Sequence, residues 1–302
     1  MKLAIPDMIS NSYFPAIAAI ELGMFKREGL DVTLELIYPV DKSYAALRDG
    51  AVDFVGGSAH SALSAFPQWH GAKLLCAQAQ GMYWFLVMHR DLGGKRGDIG
   101  IVKGRSIGAA PWVDIGLRRL LIEAGIDLAR DKVTIAPVPG AQGAGVNFGV
   151  TAARALEDRK IDGFWANGMG AEVAVRRGVG TVVLDVRRGD GPALSFNYTM
   201  ASIATTEALI ARSPDAAAAA VRAIVGTQAA LKDVARASEV GRKLFPPSEA
   251  ELIRRDLPYY DATISKNFVA GMNRFSRDAG ILTGDAAYED VVATQFSQFW
   301  KS

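Results

Sequence analysis

The chain has 302 residues, half of them hydrophobic, and its 34 basic and 32 acidic side chains leave a net charge of +2. The charges are scattered without long runs, which argues against a surface for nucleic acid or anionic lipid. No apolar run reaches the ~20 residues that would span a bilayer. A chain of this length exceeds what one hydrophobic core usually serves, so two lobes are expected.

Metal and disulfide chemistry find little support in the composition. The single Cys76 excludes an internal disulfide and a cysteine-rich metal site, and its apolar surroundings predict a small core residue. Three scattered histidines, with no HxH, HExxH or carboxylate-rich loop, argue against a metal site. We therefore expect neither a metal nor a cofactor.

The chain contains an internal sequence repeat. Residues 4–53 and 106–162 each read as strand, polar turn, amphipathic helix, strand, loop, helix and strand. Gly23 and Gly125 hold the same place in the two copies, where a left-handed residue ends the first helix. Two such units predict two similar α/β lobes with a cleft between them.

Hydrophobic periodicity predicts the elements in chain order. Before the second copy, strands are expected at 1–6, 30–37, 51–56, 74–79 and 84–88, and helices at 13–23, 43–49 and 60–65. The second copy closes with a strand at 181–186. A strand at 196–202 follows, and the chain is almost wholly helical from residue 206, with helices at 213–231, 249–255, 265–280 and 288–300.

Two polar breaks divide the predicted lobes. The sequence assigns residues 1–90 and 195–302 to lobe 1, with the helical tail, and residues 100–188 to lobe 2. Residues 91–99 and 189–194 are the predicted crossovers. Two crossovers form a hinge, and hinges permit closure on a ligand.

Three sequence motifs resemble those of a known family. They are LGMFKREGLDV at 22–32, LRDGAVDFVGGS at 47–58 and KGRSIGA at 103–109. Together they resemble the solute-binding proteins of ABC importers, in the branch with alkanesulfonate, taurine, nitrate and thiamine-pyrimidine-precursor receptors. The resemblance covers the chain from Leu3 to about Asp185, and the helical tail fits it.

The resemblance implies an α/β fold of the two-lobed periplasmic-binding-protein type II class, in which each lobe is a mixed sheet flanked by helices. It implies a monomer that captures a small molecule and passes it to a membrane permease. It also implies a periplasmic or lipid-anchored location. Because residues 1–6 already read as the first strand, a secretory signal is expected to be absent from the printed sequence.

The ligand is expected outside the carboxyl ends of the strands, near helix N-termini. This rule selects the turns at 10–14, 57–60, 110–114 and 166–169. With the residue just before the last turn, the candidate ligand-binding residues there are Ser10, Asn11, Ser12, Tyr13, Phe14, Gly57, Ser58, His60, Trp112, Val113, Asp114, Trp165 and Asn167. Short polar side chains at such turns either contact a ligand or cap their helices, and the sequence leaves both open.

Aromatic residues gather at the same turns. Tyr13, Tyr83, Trp112 and Trp165 could sandwich a planar ligand, or could fill the lobe cores. Trp112 follows a proline in a turn, which favours the ligand, whereas Trp84 within a strand favours the core.

Two loops complete the candidate site. The glycine-rich loop at 139–148 lacks the Lys-Ser/Thr ending of a nucleotide-binding P-loop, but Gln142 and Asn147 could reach a ligand from it. In the first copy, the loop at 38–43 offers Tyr38 and Lys42. Lys42 either neutralises an acidic ligand or is an ordinary solvated lysine.

These observations predict a receptor rather than an enzyme, with a planar aromatic or heteroaromatic ligand that can carry an acid group. An alkanesulfonate or taurine-like anion is the alternative ligand. The alternative class is an enzyme of the same fold built around His60, since some relatives of this fold are enzymes. The cysteine-rich motif of the pyrimidine-synthase relatives is absent from the sequence.

Overall fold

The computed structural model describes residues 1–8, 10–141, 147–245 and 247–301. The chain divides into two compact units, Met1–Gly81 with Asn197–Ser302, and Met82–Phe196. The sequence-based boundaries differ, because they place residues 82–90 in the first lobe and treat 91–99 and 189–194 as crossovers. The structure includes all three segments in the second unit. The hinge and the cleft stay predictions.

Within the described residues, ten strands form two five-stranded sheets. The strands are β1 (Lys2–Ile5), β2 (Thr33–Leu36), β3 (Phe54–Ser58), β4 (Ala72–Ala79), β5 (Phe85–His89), β6 (Ser106–Ala109), β7 (Thr134–Ala136), β8 (Gly163–Ala166), β9 (Gly180–Asp185) and β10 (Ala201–Thr206). The helices are α1 (Phe14–Glu21), α2 (Met24–Arg27), α3 (Val40–Arg48), α4 (Asp114–Glu123), α5 (Phe148–Glu157), α6 (Gly168–Arg176), α7 (Glu207–Arg212), α8 (Pro214–Leu231), α9 (Val234–Leu244), α10 (Pro247–Asp256), α11 (Lys266–Asp278) and α12 (Tyr288–Val291).

The two sheets share one topology. Their strand orders are β2-β1-β3-β10-β4 and β7-β6-β8-β5-β9. In each sheet the first three strands are parallel, and the fourth runs antiparallel to both of its neighbours. This is a mixed α/β sheet in each unit, as the sequence predicts. It also explains the shifted boundary, because β5 pairs with β8 and β9 in the second sheet.

Matching hydrogen bonds confirm the repeat. The Asp53 carboxylate accepts from the Lys2 backbone N–H at 2.8 Å, and the Asp162 carboxylate accepts from the Ser106 N–H at 2.8 Å. Each aspartate directly precedes the third strand of its copy and thereby links that strand to the first. Gly23 and Gly125 are both left-handed, with φ of 66° and 84°, as predicted.

The core of the first unit lies against the alanine-rich helix α8. Ala217, Ala220, Val221 and Ile224 of this helix are buried in one cluster with Leu3 of β1, among others. Small alanine side chains let α8 approach α1, α2 and β4 closely. Cys76 lies in this core, as expected, and burial raises the pKa of its thiol. None of the described helices is both long enough and apolar enough for a membrane span.

Three predicted elements differ from the observed ones. The helix expected at 60–65 is a 3-10 helix at Ala59–Ser64, and the strand expected at 196–202 begins only at Ala201. The helix expected at 288–300 is broken into α12 and a 3-10 helix at Thr294–Phe299. The break occurs because Val292 is extended and bridges Leu74 at the edge of the first sheet.

Candidate ligand-binding site

The turn after β1 is closely held within the first unit. Ser10, Asn11, Ser12 and Tyr13 are all buried, and the Tyr13 backbone N–H donates to the Ser10 carbonyl at 3.0 Å. Tyr13 is the residue before α1 and its side chain makes no capping bond. The acceptor for the first turn of α1 comes instead from β4, where the Gln78 Oε1 accepts from the Ala16 N–H at 3.3 Å. The first turn of α1 is therefore bonded by a side chain from the sheet and not by that of Tyr13.

Two members of this turn pack against the C-terminal helices. The Asn11 side-chain amide donates to the buried Asp256 carboxylate, and the Tyr260 hydroxyl donates to the Asn11 carbonyl at 2.6 Å. The fully buried ring of Phe14 lies 5.4 Å from the ring of Phe245, centroid to centroid. These contacts give Asn11 and Phe14 positions in the packing of the first unit.

The turn after β3 is built on a close approach. A Cβ on Gly57 would lie 3.1 Å from Val40 and 3.3 Å from Tyr44, so glycine suits this position. The Tyr44 hydroxyl donates to the Ser58 carbonyl at 3.1 Å, and the Ser58 and Ser61 hydroxyl oxygens lie 2.6 Å apart. These bonds fix the strand end that the sequence predicts for the site.

His60 lies in the core of the first unit. Its side chain is fully buried, and its ring meets the Phe275 ring edge-on at 5.3 Å between centroids. Its backbone N–H points to the Thr199 hydroxyl at 3.5 Å. A general base must reach the proton that it removes. This packing against α11 favours a structural role over the catalytic alternative.

The loop before α3 places Tyr38 and Lys42 differently. Burial, and then the negative charges of Asp41 and Asp7, raise the pKa of the Tyr38 phenol to about 12. The phenol is therefore a neutral hydroxyl at physiological pH. Lys42, in the first turn of α3, is exposed to solvent.

In the second unit, the turn after β6 holds Trp112 in a strained backbone conformation. Its φ of 67° is in the left-handed region, which bulky L residues rarely adopt. Such strain persists where the surroundings impose it, often at functional sites. Val113 then precedes α4, and the Asp114 carboxylate pairs with Arg118 at 2.9 Å one turn along that helix. Asp114 is thus already engaged in an ion pair.

An aromatic cluster lies at the carboxyl end of β8. Because Phe85 of the antiparallel β5 pairs with Ala166, the residues before Phe85 lie at this end. The centroids of Tyr83 and Trp84 are 5.0 Å apart, and those of Trp84 and Trp165 are 6.0 Å apart. All three rings are buried. Trp84 also packs on α4, since a Cβ on Gly116 would lie 3.1 Å from it, which agrees with its predicted core role.

Both asparagines of the second unit cap helices. The Asn147 side-chain oxygen accepts from the Val150 N–H at 3.1 Å, and that of Asn167 accepts from the Gly170 N–H at 3.5 Å. These bonds fit the capping interpretation. Gln142 lies outside the described residues.

Sequence reasoning missed Arg187. This residue follows β9 and is 3% exposed, with its guanidinium 5.5 Å from the centroid of the Tyr83 ring. β9 is antiparallel to β5, so its carboxyl end lies at the same sheet edge as that of β8. The sequence places Arg187 just before the predicted crossover at 189–194, where a charged side chain usually faces solvent. The apolar strand directly before it was a signal that could have identified the position.

The second unit therefore brings Tyr83, Trp84, Trp165 and Arg187 together at one sheet edge, and Trp112 and Asn167 follow strands that end there. Flat rings suit a planar ligand, and a buried guanidinium suits an anion. In the first unit, the corresponding strand ends carry Ser10, Tyr38 and Ser58. Nothing among the described residues forms a cluster of three or more histidine, cysteine or acidic side chains that could hold a metal ion.

Solved structures share this fold over nearly the whole chain. The alkanesulfonate-binding protein SsuA from Xanthomonas axonopodis pv. citri, bound to MOPS, has a TM-score of 0.74 at 13% identity, over 96% of this chain and 97% of that one. A putative sulfonate ABC transporter protein, the periplasmic sulfonate-binding SsuA from Methylobacillus flagellatus KT, has a TM-score of 0.69 at 14% identity, over 99% and 92%. The desulfurization enzyme DSZB has a TM-score of 0.68 at 14% identity, over 98% and 97%.

These similarities show the fold, the type II architecture of periplasmic binding proteins. No curated protein sequence matches the chain. The family model described as NMT1/THI5 like matches residues 10–237, which is most of the chain. The chain therefore belongs to the NMT1/THI5-like family.

Proposed function

We propose that this protein is the ligand-binding component of an ABC uptake system. It acts as a monomer outside the cytoplasmic membrane and delivers a small organic molecule to a membrane permease. The family and the similarity to SsuA proteins support this role. The ligand is a planar aromatic or heteroaromatic compound with an acid group.

The observation that carries the ligand class is the cluster in which Trp84 packs between Tyr83 and Trp165, with Arg187 beside it. Centroid separations of 5.0 and 6.0 Å are typical of tilted aromatic packing, so Tyr83 and Trp165, held by the core residue Trp84, suit contact with a further ring. The buried guanidinium of Arg187 supplies a positive charge at the same edge.

The alternative ligand is a small aliphatic sulfonate. The two SsuA structures bind sulfonates, one of them MOPS, and Arg187 suits any oxyanion. The distinction rests on the aromatic rings, because a small aliphatic ligand gains little from them. An aromatic acid should therefore bind more tightly than an aliphatic one of equal charge.

Isothermal titration calorimetry with four probes tests the proposal. The probes are benzoate, benzenesulfonate, taurine and nitrate. We expect an aromatic probe to bind at least about ten-fold more tightly than taurine, the ratio that 1.4 kcal/mol of ring contact provides. Tighter binding of taurine would contradict the aromatic ligand class. Chromatography detects any turnover of a bound probe. Turnover would show that the protein is an enzyme and contradict the receptor role.

A further inference from the structure

The buried indole of Trp165 has a polar atom that the fold does not use. Trp165 is the third residue of β8 and is 0% exposed. Its Nε1 is buried and has no hydrogen-bond partner in the part of the chain that the structure describes. Buried hydrogen-bond donors are almost always paired, because a buried donor without an acceptor costs free energy. At the carboxyl end of a strand, a bound ligand can supply the missing acceptor.

The surroundings of Trp165 indicate the chemistry of that partner. The Trp165 ring lies 6.0 Å from that of Trp84, which lies 5.0 Å from that of Tyr83, which in turn lies 5.5 Å from the Arg187 guanidinium. An indole N–H only donates, and a guanidinium only donates. At the same edge the Asp185 carboxylate, which ends β9, pairs with Arg188 at 3.1 Å. Trp165 and Arg187 offer an N–H donor and a positive charge, and an oxyanion suits both.

We propose that the Trp165 Nε1–H donates a hydrogen bond to a carboxylate or sulfonate oxygen of the bound ligand, while Arg187 provides the opposite charge. This inference rests on the proposed function and makes Trp165 a hydrogen-bond donor that selects oxyanions. The ring contributes packing, and the N–H contributes specificity. A ligand of the same shape without an acceptor oxygen binds more weakly, because it leaves the donor unpaired.

Trp69 provides a matched control. It is 2% exposed, and its Nε1 also has no partner in the described part of the chain. Trp69 precedes β4, which is parallel to β3 because both are antiparallel to β10. Trp69 therefore lies at the amino edge of its sheet, opposite the predicted ligand edge. Its indole N–H has no role in ligand recognition.

The test compares Trp165→Phe with Trp69→Phe by calorimetry with benzenesulfonate and benzoate. Phenylalanine keeps an aromatic ring and removes the N–H. We expect Trp165→Phe to weaken binding about ten-fold or more, the loss typical of a hydrogen bond to a charged group, with no such change for Trp69→Phe. Without ligand, neither variant loses a hydrogen bond, so any change in thermal stability comes from ring packing.

A second measurement does not depend on the folding of Trp165→Phe. In wild-type protein labelled with ¹⁵N at the indole nitrogen, the Trp165 N–H resonance should shift on addition of benzenesulfonate and the Trp69 resonance should not. Tryptophan-to-phenylalanine variants at the other four positions assign the spectrum by difference. An unmoved Trp165 resonance at saturating probe overturns the inference.

The outcomes separate the two proposals. If the wild type binds an aromatic probe and both variants bind it equally, the hydrogen bond is wrong and the receptor role stands. If the wild type binds neither benzoate nor benzenesulfonate, the proposed ligand class fails, and the inference fails with it.

Discussion

The two copies of the repeat share a backbone and differ at their strand ends. Asp53 and Asp162 make the same hydrogen bond at the same length, and Gly23 and Gly125 end the first helix in the same left-handed conformation. The two aspartates lie at the amino ends of the strands, away from the predicted ligand edge, and the two glycines lie in the turns after the helices. The two copies thus share individual hydrogen bonds as well as the order of their strands.

The strand ends have diverged. In the first copy, the turn after β1 is buried, and Asn11 bonds to Asp256 and Tyr260 of the C-terminal segment. In the second unit, the strand ends carry Trp112 in a strained conformation and the cluster with Arg187. A duplicated scaffold thus leaves its strand ends free to specialise. In the proposed function, the second unit supplies the charge and the rings.

The largest expected effect tests where the positive charge for the ligand lies. Arg187→Ala should weaken binding of benzenesulfonate by about 100-fold, because a charged hydrogen bond or ion pair contributes up to ~3 kcal/mol when buried. Lys42→Ala is the matched control in the first copy, since Lys42 is exposed and solvated. Its effect should stay below about three-fold, as for other exposed charges. Calorimetry measures both.

Equal losses for the two variants would place charge recognition in both copies and contradict the specialisation of the second. Arg187→Lys keeps the charge and removes the planar guanidinium. We expect an intermediate loss, since guanidinium and ammonium differ in geometry.

The next effect concerns the close packing of α5 on α6 in the second copy. By the 109-residue shift, Gly149 corresponds to Val40, and a Cβ on Gly149 would lie 2.8 Å from the backbone nitrogen of Gly170. Gly149→Ala should therefore lower the free energy of unfolding by about 1–3 kcal/mol, the usual cost of overpacking. Gly226→Ala in α8 is the control, since a Cβ on Gly226 would lie 3.9 Å from the Met24 sulfur, an ordinary van der Waals distance. Urea unfolding followed by circular dichroism measures both.

Gly226→Ala should instead stabilise the protein by about 0.5–1 kcal/mol, because alanine has the higher helix propensity. A stable Gly149→Ala variant would show that α5 and α6 can separate without cost. The second copy would then have room at this position for a larger side chain, such as the valine of the first copy.

The repeat and most strands were predictable from the sequence, because periodicity and glycine positions encode local structure. The sheet to which β5 belongs was not, since an apolar run predicts a strand and not its pairing partner. The burial of Arg187 was likewise hidden, because a charged residue after a strand usually faces solvent. The packing of His60 on Phe275 was also hidden, because it joins residues over 200 positions apart in sequence.

The smallest expected effect concerns the backbone at one turn of the repeat. Gly50 and Arg159 correspond by the 109-residue shift, and both are left-handed, with φ of 71° and 57°. A non-glycine residue in this conformation costs about 1–2 kcal/mol, of which the greater chain entropy of glycine offsets part. Arg159→Gly should therefore stabilise the second unit by about 0.5–1 kcal/mol, as urea unfolding would measure.

Arg159 also pairs with Asp91 at the surface, and an exposed pair of this kind contributes at most about 1 kcal/mol. Measuring Arg159→Gly in an Asp91→Asn background removes that contribution and isolates the backbone term. The reverse change, Gly50→Ala, should cost about 1 kcal/mol, because a Cβ there meets nothing within 4 Å and only the conformation is strained. If Arg159→Gly destabilises the protein in the Asp91→Asn background, the two turns are not equivalent, and the duplication of the scaffold ends before this turn.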